Sequence, residues 1–237
     1  MRIFIRTADK HAWALRACFH LMDKYWPEHP DVFLAGYERP DRLPKWVEFF
    51  SIGSNSDYPV SRWSTATQIS LDRFEDELFI WWMSDFWLVR RVDHWAIEML
   101  AGYMGAHPQV SKIDLTSDRL YAANLEEYDS LESIDLISNQ LPSAYISSLQ
   151  AGMWRRSEMM KYLLPEESPW DFEIDGSRRM NEGRALVLGT RQIPCRYLIA
   201  VQQGKLRLDG GYQVPRPPLK VSDIDELRTL GYLNGYA

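Results

Sequence analysis

Long apolar runs are missing from this 237-residue sequence. The longest, Leu78 to Met83, is six residues, far short of the roughly 20 that cross a bilayer as a helix. The start, Met1-Arg2-Ile3-Phe4-Ile5, reads as a strand and has no apolar stretch or cleavage site of a signal peptide. A cytoplasmic location is therefore expected. There are only two cysteines, Cys18 and Cys195, without Cys-x-x-Cys spacing, which points to free thiols in a reducing compartment. The five histidines, His11, His20, His29, His94 and His107, show no His-x-His or His-x₃-His pattern, so a zinc site is not expected. Gly-x-Gly-x-x-Gly, Gly-x₄-Gly-Lys-Ser/Thr and Gly-x-Ser-x-Gly are also absent. Their absence argues against a standard dinucleotide enzyme, a P-loop NTPase and an α/β-hydrolase.

What is present is the composition of a globular protein, with 46% hydrophobic and 25% charged residues. The length suits a single domain built from two halves, residues 1–116 and 117–237. Ten tryptophans suggest a rich core and flat rings for stacking on a base or sugar. The net charge of −6 is unevenly spread. Residues 1–150 carry 14 basic and 22 acidic side chains, residues 151–220 carry 12 and 8, and residues 221–237 carry 1 and 3. The middle block, at +4, either faces a polyanion or is a solvated surface.

Strand and helix patterns alternate through the first half. Strands are expected at Arg2–Arg6, Asp31–Tyr37, Trp46–Ile52, Leu78–Met83 and Val110–Leu115. Helices are expected at Ala12–Tyr25, Thr65–Phe74 and along the Val92–Tyr103 stripe. The unbroken Leu78–Met83 run fits a strand buried on both faces. This alternation predicts a mostly parallel sheet flanked by helices. The second half is less regular. A strand is expected within Ala144–Trp154, alone or paired with the segment near Ile137. A helix is expected at Arg155–Leu164, a helix start at Ser168-Pro169 with Ser168 as N-cap, short strands at Leu186–Leu188 and Tyr197–Val201, and a last helix from Ser222 to Leu230 with Ser222 as N-cap.

The stretch Trp81-Trp82-Met83-Ser84-Asp85-Phe86 ends a buried strand in a polar pair. Strand ends of this kind bind ligands in open α/β sheets. A carboxylate there could hold Mg²⁺ or Mn²⁺ with substrate phosphates, or could simply cap a turn. Together with Trp63-Ser64, Leu71 and Phe74 upstream, it resembles a Trp-Ser helix start leading into an Asp-Asp-aromatic or Asp-x-Asp motif. Gln150-Ala151-Gly152-Met153-Trp154-Arg155-Arg156, Leu164-Pro165 through Pro169-Trp170-Asp171-Phe172-Glu173, and Val201-Gln202-Gln203-Gly204-Lys205 extend the likeness over about residues 1–208. In this order the segments resemble those of small bacterial and phage glycosyltransferases of the GT-A fold, family-2-like. The resemblance implies a GT-A-like (Rossmann-like) sheet, a nucleotide-sugar donor such as a UDP-sugar, and a Mn²⁺ or Mg²⁺ cofactor held by Asp85. Ser84 stands where the family motif usually has its first acid. The resemblance further implies donor contacts from Arg6, Thr7, Asp9, Trp63, Ser64, Ser84 and Asp85, and a catalytic base at Glu173. A Glu at this place could otherwise be a plain surface acid. Acceptor contacts are expected from Trp154, Trp170, Arg178 and Arg179, where core packing and surface charge are the competing readings.

The function expected is sugar transfer from a nucleotide-sugar to a hydroxyl of a surface glycan or lipid-linked saccharide. One alternative acceptor is a 5-hydroxymethyl-pyrimidine in phage DNA. Another class is a non-catalytic nucleotide- or glycan-binding module. A nucleotidyltransferase would need a second carboxylate, for which Asp9 or Asp114 are the candidates.

Overall fold

The computed structural model describes residues 1–209 and 218–233. Residues 210–217, part of the basic block, and 234–237 lie outside this description. The first half runs β1 (Arg2–Arg6), α1 (Ala14–Tyr25), β2 (Val32–Gly36), β3 (Val47–Ser51), α2 (Trp63–Arg73), β4 (Leu78–Met83), β5 (Phe86–Leu88), α3 (His94–Ala106) and β6 (Val110–Asp114). It continues through α4 (Asp118–Tyr121), β7 (Leu125–Leu131), β8 (Ile134–Asn139), β9 (Gly152–Arg155), α5 (Arg156–Tyr162) and α6 (Pro169–Asp171). A π-helical turn (Phe172–Gly176) leads into α7 (Ser177–Glu182). The chain closes with β10 (Leu186–Thr190), β11 (Tyr197–Ile199), β12 (Val201–Gln202), β13 (Lys205–Leu206) and α8 (Val221–Thr229).

Nine strands form one sheet in the order β3-β2-β1-β4-β9-β6-β10-β8-β7. β1, β2, β3 and β4 are mutually parallel, as are β6 and β10. β9 runs antiparallel between β4 and β6, and the β7–β8 hairpin adds an antiparallel edge. The mostly parallel, helix-flanked α/β sheet expected from the sequence is the fold observed.

Alternation along each strand divides the core into two layers. Ile3, Ile5, Leu34, Ile80, Trp82 and Met153 face α1 and α3. Phe4, Phe33, Phe79, Trp81 and Trp154 face α2, α5 and the π-turn region. Neighbouring Trp81 and Trp82 thus fill opposite layers, which is why the 78–83 run shows no polar position. Each such buried ring contributes about 1.5–3 kcal/mol or more by leaving water.

Three expectations change. Only Gly152–Arg155 of the 144–154 segment is strand. Residues 144–151 are irregular, and side chains of Lys112, Arg119 and Glu173 bond the backbone of Ala144, Tyr145, Ser148 and Leu149. The segment near Ile137 pairs instead with Leu125–Leu131, whose outward, polar side chains mask the strand pattern. The last helix begins at Val221 with Lys220 as N-cap, not Ser222. No helix among the described residues is long and apolar enough to cross a membrane.

Candidate active site at the carboxyl edge of the sheet

The strand order reverses between β1 and β4. From β1 the chain builds outward to β2 and β3, and then returns to place β4 on the other side. In open α/β sheets the crevice outside the carboxyl ends at such a reversal is the ligand site. Arg6 pairs with Met83 across this boundary. Thr7, Ala8 and Asp9 therefore leave the sheet beside Ser84 and Asp85.

Arg6 is 6% exposed. Its Nη1 donates to the Thr7 carbonyl at 2.6 Å and its Nη2 to the Tyr37 hydroxyl at 3.4 Å, with the guanidinium 5.1 Å from the Tyr37 ring centre. Among the described residues its Nε has no hydrogen-bond partner. Among the described residues no carboxylate lies within ion-pair distance of it. Burial pushes its pKa down, and only Tyr37 and the more distant charge of Asp9 work the other way. Thr7 is buried, its amide donating to the Ala35 carbonyl. Asp9 opens a short 3₁₀ turn and accepts from the Glu38 amide at 3.2 Å, tying the β2 exit to the β1 exit.

Ser84 and Asp85 form the two-residue turn between β4 and β5. The Trp82 indole donates to the Phe86 carbonyl at 3.0 Å, and the Ala200 amide donates to the Asp85 carbonyl at 2.8 Å. Both residues are buried. The Asp85 charge helps raise the pKa of the nearby Cys18 thiol, which burial first pushes up to about 12. The oxygen chemistry of Asp85 suits a hard divalent cation completed by phosphate and water. Among the described residues there is no cluster of three or more His, Cys, Asp or Glu side chains placed to hold a metal. Asp85 lines neither of the cavities described here.

Four of the residues expected to contact ligand are engaged within the fold. Trp63 is buried, its ring 5.9 Å from both Trp81 and Phe172. Ser64 is fully buried, accepting from the Glu167 amide and donating its own amide to the Glu167 carbonyl. This pair fastens the 164–168 loop to α2, because a helix start needs partners for its free amides. Trp154 is wholly enclosed, with the Lys112 ammonium 4.9 Å from its ring centre, so it offers no face to a sugar. Arg179 donates to the Tyr162 carbonyl and pairs with Glu167 at 2.8 Å, which commits its fork to the fold. Trp170 is 63% exposed on α6. Arg178 is exposed, 3.3 Å from Asp175.

Glu173 sits in the π-turn, and the local sequence explains that turn. Ser168 caps α6 in a reciprocal pair with Asp171, with Pro169 at the first position. Gly176 then lets the backbone close on the Phe172 ring, where a Cβ would come within 2.9 Å. A π-turn widens the helix and loosens its carbonyls. The Ser147 hydroxyl serves those of Phe172 and Glu173 at 2.8 and 3.1 Å, and the Ser177 hydroxyl serves Glu173 at 2.6 Å. Such turns recur at functional sites. The Glu173 Oε1 accepts from the Leu149 amide at 2.7 Å. Burial raises its pKa above the ordinary carboxylate value. The Leu149 hydrogen bond and the Lys112 charge oppose this, and Asp118 adds to it. Leu149 lies just ahead of Gly152, which pairs with Trp81 and Asp114. Glu173 therefore belongs to the same sheet edge as Asp85.

Asp114 is a structural residue rather than a second metal ligand. It is fully buried, with Oδ1 2.6 Å from the Lys112 ammonium and Oδ2 2.9 Å from Arg119 Nε. These are close ion pairs without hydrogen-bond alignment. Lys112 also donates to the Ser148 carbonyl at 2.7 Å. Arg119 donates to Ser143 Oγ and to the carbonyls of Ala144 and Tyr145. The signal was present in the sequence: a lysine and an aspartate two apart in a strand whose Val110, Ile113 and Leu115 mark it as buried. Above this triad an open groove of about 680 Å³ runs between the Pro142–Tyr145 loop and α7, with Glu173 in its lining. A smaller cavity of about 320 Å³ lies between the start of α1 and residues 40–43, where Tyr232 contributes.

No known protein family matches the chain, and no curated protein matches it. Among solved structures, CMP:2-keto-3-deoxy-manno-octonic acid synthetase complexed with CTP aligns over 97% of both chains at 12% identity, with a TM-score of 0.44. A cytidylyltransferase from Leptospira borgpetersenii covers 100% of this chain and 97% of its own at 9% identity and TM-score 0.45. A glycosyltransferase involved in glycosylation of the major capsid of PBCV-1 covers 80% of this chain and 81% of its own at 14% identity and TM-score 0.37. At this distance the neighbours do not define an activity for the chain.

Proposed function

We propose that the protein is a glycosyltransferase that moves a sugar from a nucleotide-sugar donor to a hydroxyl acceptor. Residues 1–116 supply the donor side and 117–237 the acceptor side. The observation that supports this most is Arg6: a buried guanidinium, without a carboxylate in contact among the described residues, at the point where the strand order reverses. A desolvated cation held in this way is stabilised by an incoming anion, and Arg matches phosphate oxygens. Thr7, Asp9, Ser84 and Asp85 share that edge. Mn²⁺ or Mg²⁺ arriving with the diphosphate would take Asp85 as its protein ligand. Glu173, with its raised pKa, would accept the proton of the attacking hydroxyl. Trp170 and Arg178 would stand at the acceptor side. The resemblance of the 63–86 segment to GT-A glycosyltransferases supports the same reading.

Thermal shift against UDP, GDP, dTDP and their sugars, with and without Mn²⁺, tests it. A ligand at 100 times its Kd adds about 2.7 kcal/mol, or roughly 5–11 °C for a chain of this size. The shift should vanish in Arg6→Met. If no nucleotide raises the melting temperature, or if Arg6→Met keeps the full shift, the donor assignment is wrong.

A further inference from the structure

We propose that Tyr145 is a stacking platform for a neutral sugar and that the groove beside Glu173 is the acceptor subsite. This deepens the reading above and rests on it for the role of Glu173. No residue motif in the sequence pointed to Tyr145.

The Tyr145 ring is 59% exposed although its backbone is firmly held. That backbone has φ +51°, in the left-handed region that strains a bulky residue. Such strain persists only where the surroundings impose it. Here the buried Arg119 grips the Ala144 and Tyr145 carbonyls from below, with Asp114 holding Arg119. From the side, Asn181 Nδ2 donates to the Ser143 carbonyl at 3.0 Å, and the Ser143 amide donates to Asn181 Oδ1 at 2.8 Å. The fold thus spends two clamps on displaying one aromatic ring at a groove wall.

The opposite wall brings Ile174, 61% exposed, next to Glu173 in the wide turn. A hexose has one face of C–H bonds and a rim of hydroxyls. It needs a flat apolar surface below and polar groups around. Tyr145 offers the first, faced by Ile174 across the groove; Glu182 and Glu173 offer carboxylates to the hydroxyls. The charges favour a neutral occupant. Glu173 and Glu182 are acidic, and Arg178 already sits near Asp175. A nucleic acid would need unopposed cations against its phosphates, so this groove does not suit modified DNA.

The probes are methyl glycosides of glucose, galactose, mannose and N-acetylglucosamine, followed by saturation-transfer NMR on the full chain. At least one should show ring-proton saturation with wild type. Tyr145→Phe should keep it. Tyr145→Gly should weaken binding at least about tenfold, while melting no lower than wild type, because glycine accepts the positive φ without strain. No saturation from any glycoside, or equal saturation with Tyr145→Gly, overturns the proposal. So does binding of a hydroxymethylcytosine duplex that Tyr145→Gly abolishes. The donor reading is scored separately, by the UDP and GDP thermal shift of Tyr145→Gly. Glycoside binding without any nucleotide shift would sink the donor assignment alone. A nucleotide shift without glycoside binding would sink the Tyr145 assignment alone.

Discussion

Asp114→Asn is the most incisive perturbation of this fold. The substitution keeps the shape of the side chain and removes its charge. Lys112 and Arg119, both essentially inaccessible, would then face each other with no acid between them. Breaking a buried ion pair by removing one partner costs roughly 3–5 kcal/mol, because the remaining charge stays desolvated. Two stranded cations place the expected loss at the upper part of that range. For a chain of this size each kcal/mol moves the melting temperature by about 2–4 °C, so a loss of about 4–5 kcal/mol gives an expected drop of about 8–20 °C. Urea unfolding followed by circular dichroism gives the free energy directly. The internal control is Glu28→Gln, which breaks the exposed pair with Arg91 at 2.8 Å and should cost no more than about 1 kcal/mol. If Asp114→Asn costs as little as Glu28→Gln, the triad is not what holds the 143–148 loop.

Gly189→Ala would place a Cβ 2.6 Å from the Arg119 Cβ and 2.7 Å from its Cγ; overpacking of about 1–3 kcal/mol is expected by chemical denaturation. Glu173→Gln should abolish transfer and, with it, the acid limb of the kcat/KM profile, which in wild type lies above the ordinary carboxylate range because burial raises this pKa. The same raised pKa makes the protonated form the one favoured by folding. Its contribution to stability is present at low pH and fades as pH rises through the folded value, so the pH-stability curve of Glu173→Gln should be flatter there. Asp223→Asn removes the charge that pairs with Lys24 at 2.8 Å and one of the two oxygens that accept from Lys24 and, at 2.7 Å, from the Tyr25 hydroxyl; a loss of roughly 1–3 kcal/mol, with earlier proteolysis of α8, is expected.

Much of the sheet was legible because its strands are short, apolar and separated by amphipathic helices. The 78–83 run declared its double burial by lacking any polar residue. The strand ends that carry the proposed donor side were legible for the same reason: polar residues resume at Arg6-Thr7 and Ser84-Asp85, where the strands end. Position in the chain could not separate rings that pack from rings that are displayed. Trp63, Trp154 and Trp170 look alike in sequence, yet the first two fill the layer beneath α2 and the π-turn while the third stands in solvent. Arg178 and Arg179 are adjacent and still differ, since one helical step turns Arg179 toward Tyr162 and Glu167. Tyr145 was invisible because its display depends on Arg119 and Asn181, contacts set by the tertiary fold.

The placement of β9 has a consequence for how this chain is made. β4 and β6 each hydrogen-bond to β9 and not to each other. A fragment ending near residue 116 would leave a slot one strand wide through the middle of its sheet, with apolar edges exposed on both sides. A ribosome adding about 5–20 residues per second must therefore deliver residue 155 before the earlier strands can close. Neither half should be transferable to another protein by simple recombination, because the seam between them is stitched by a strand inserted late.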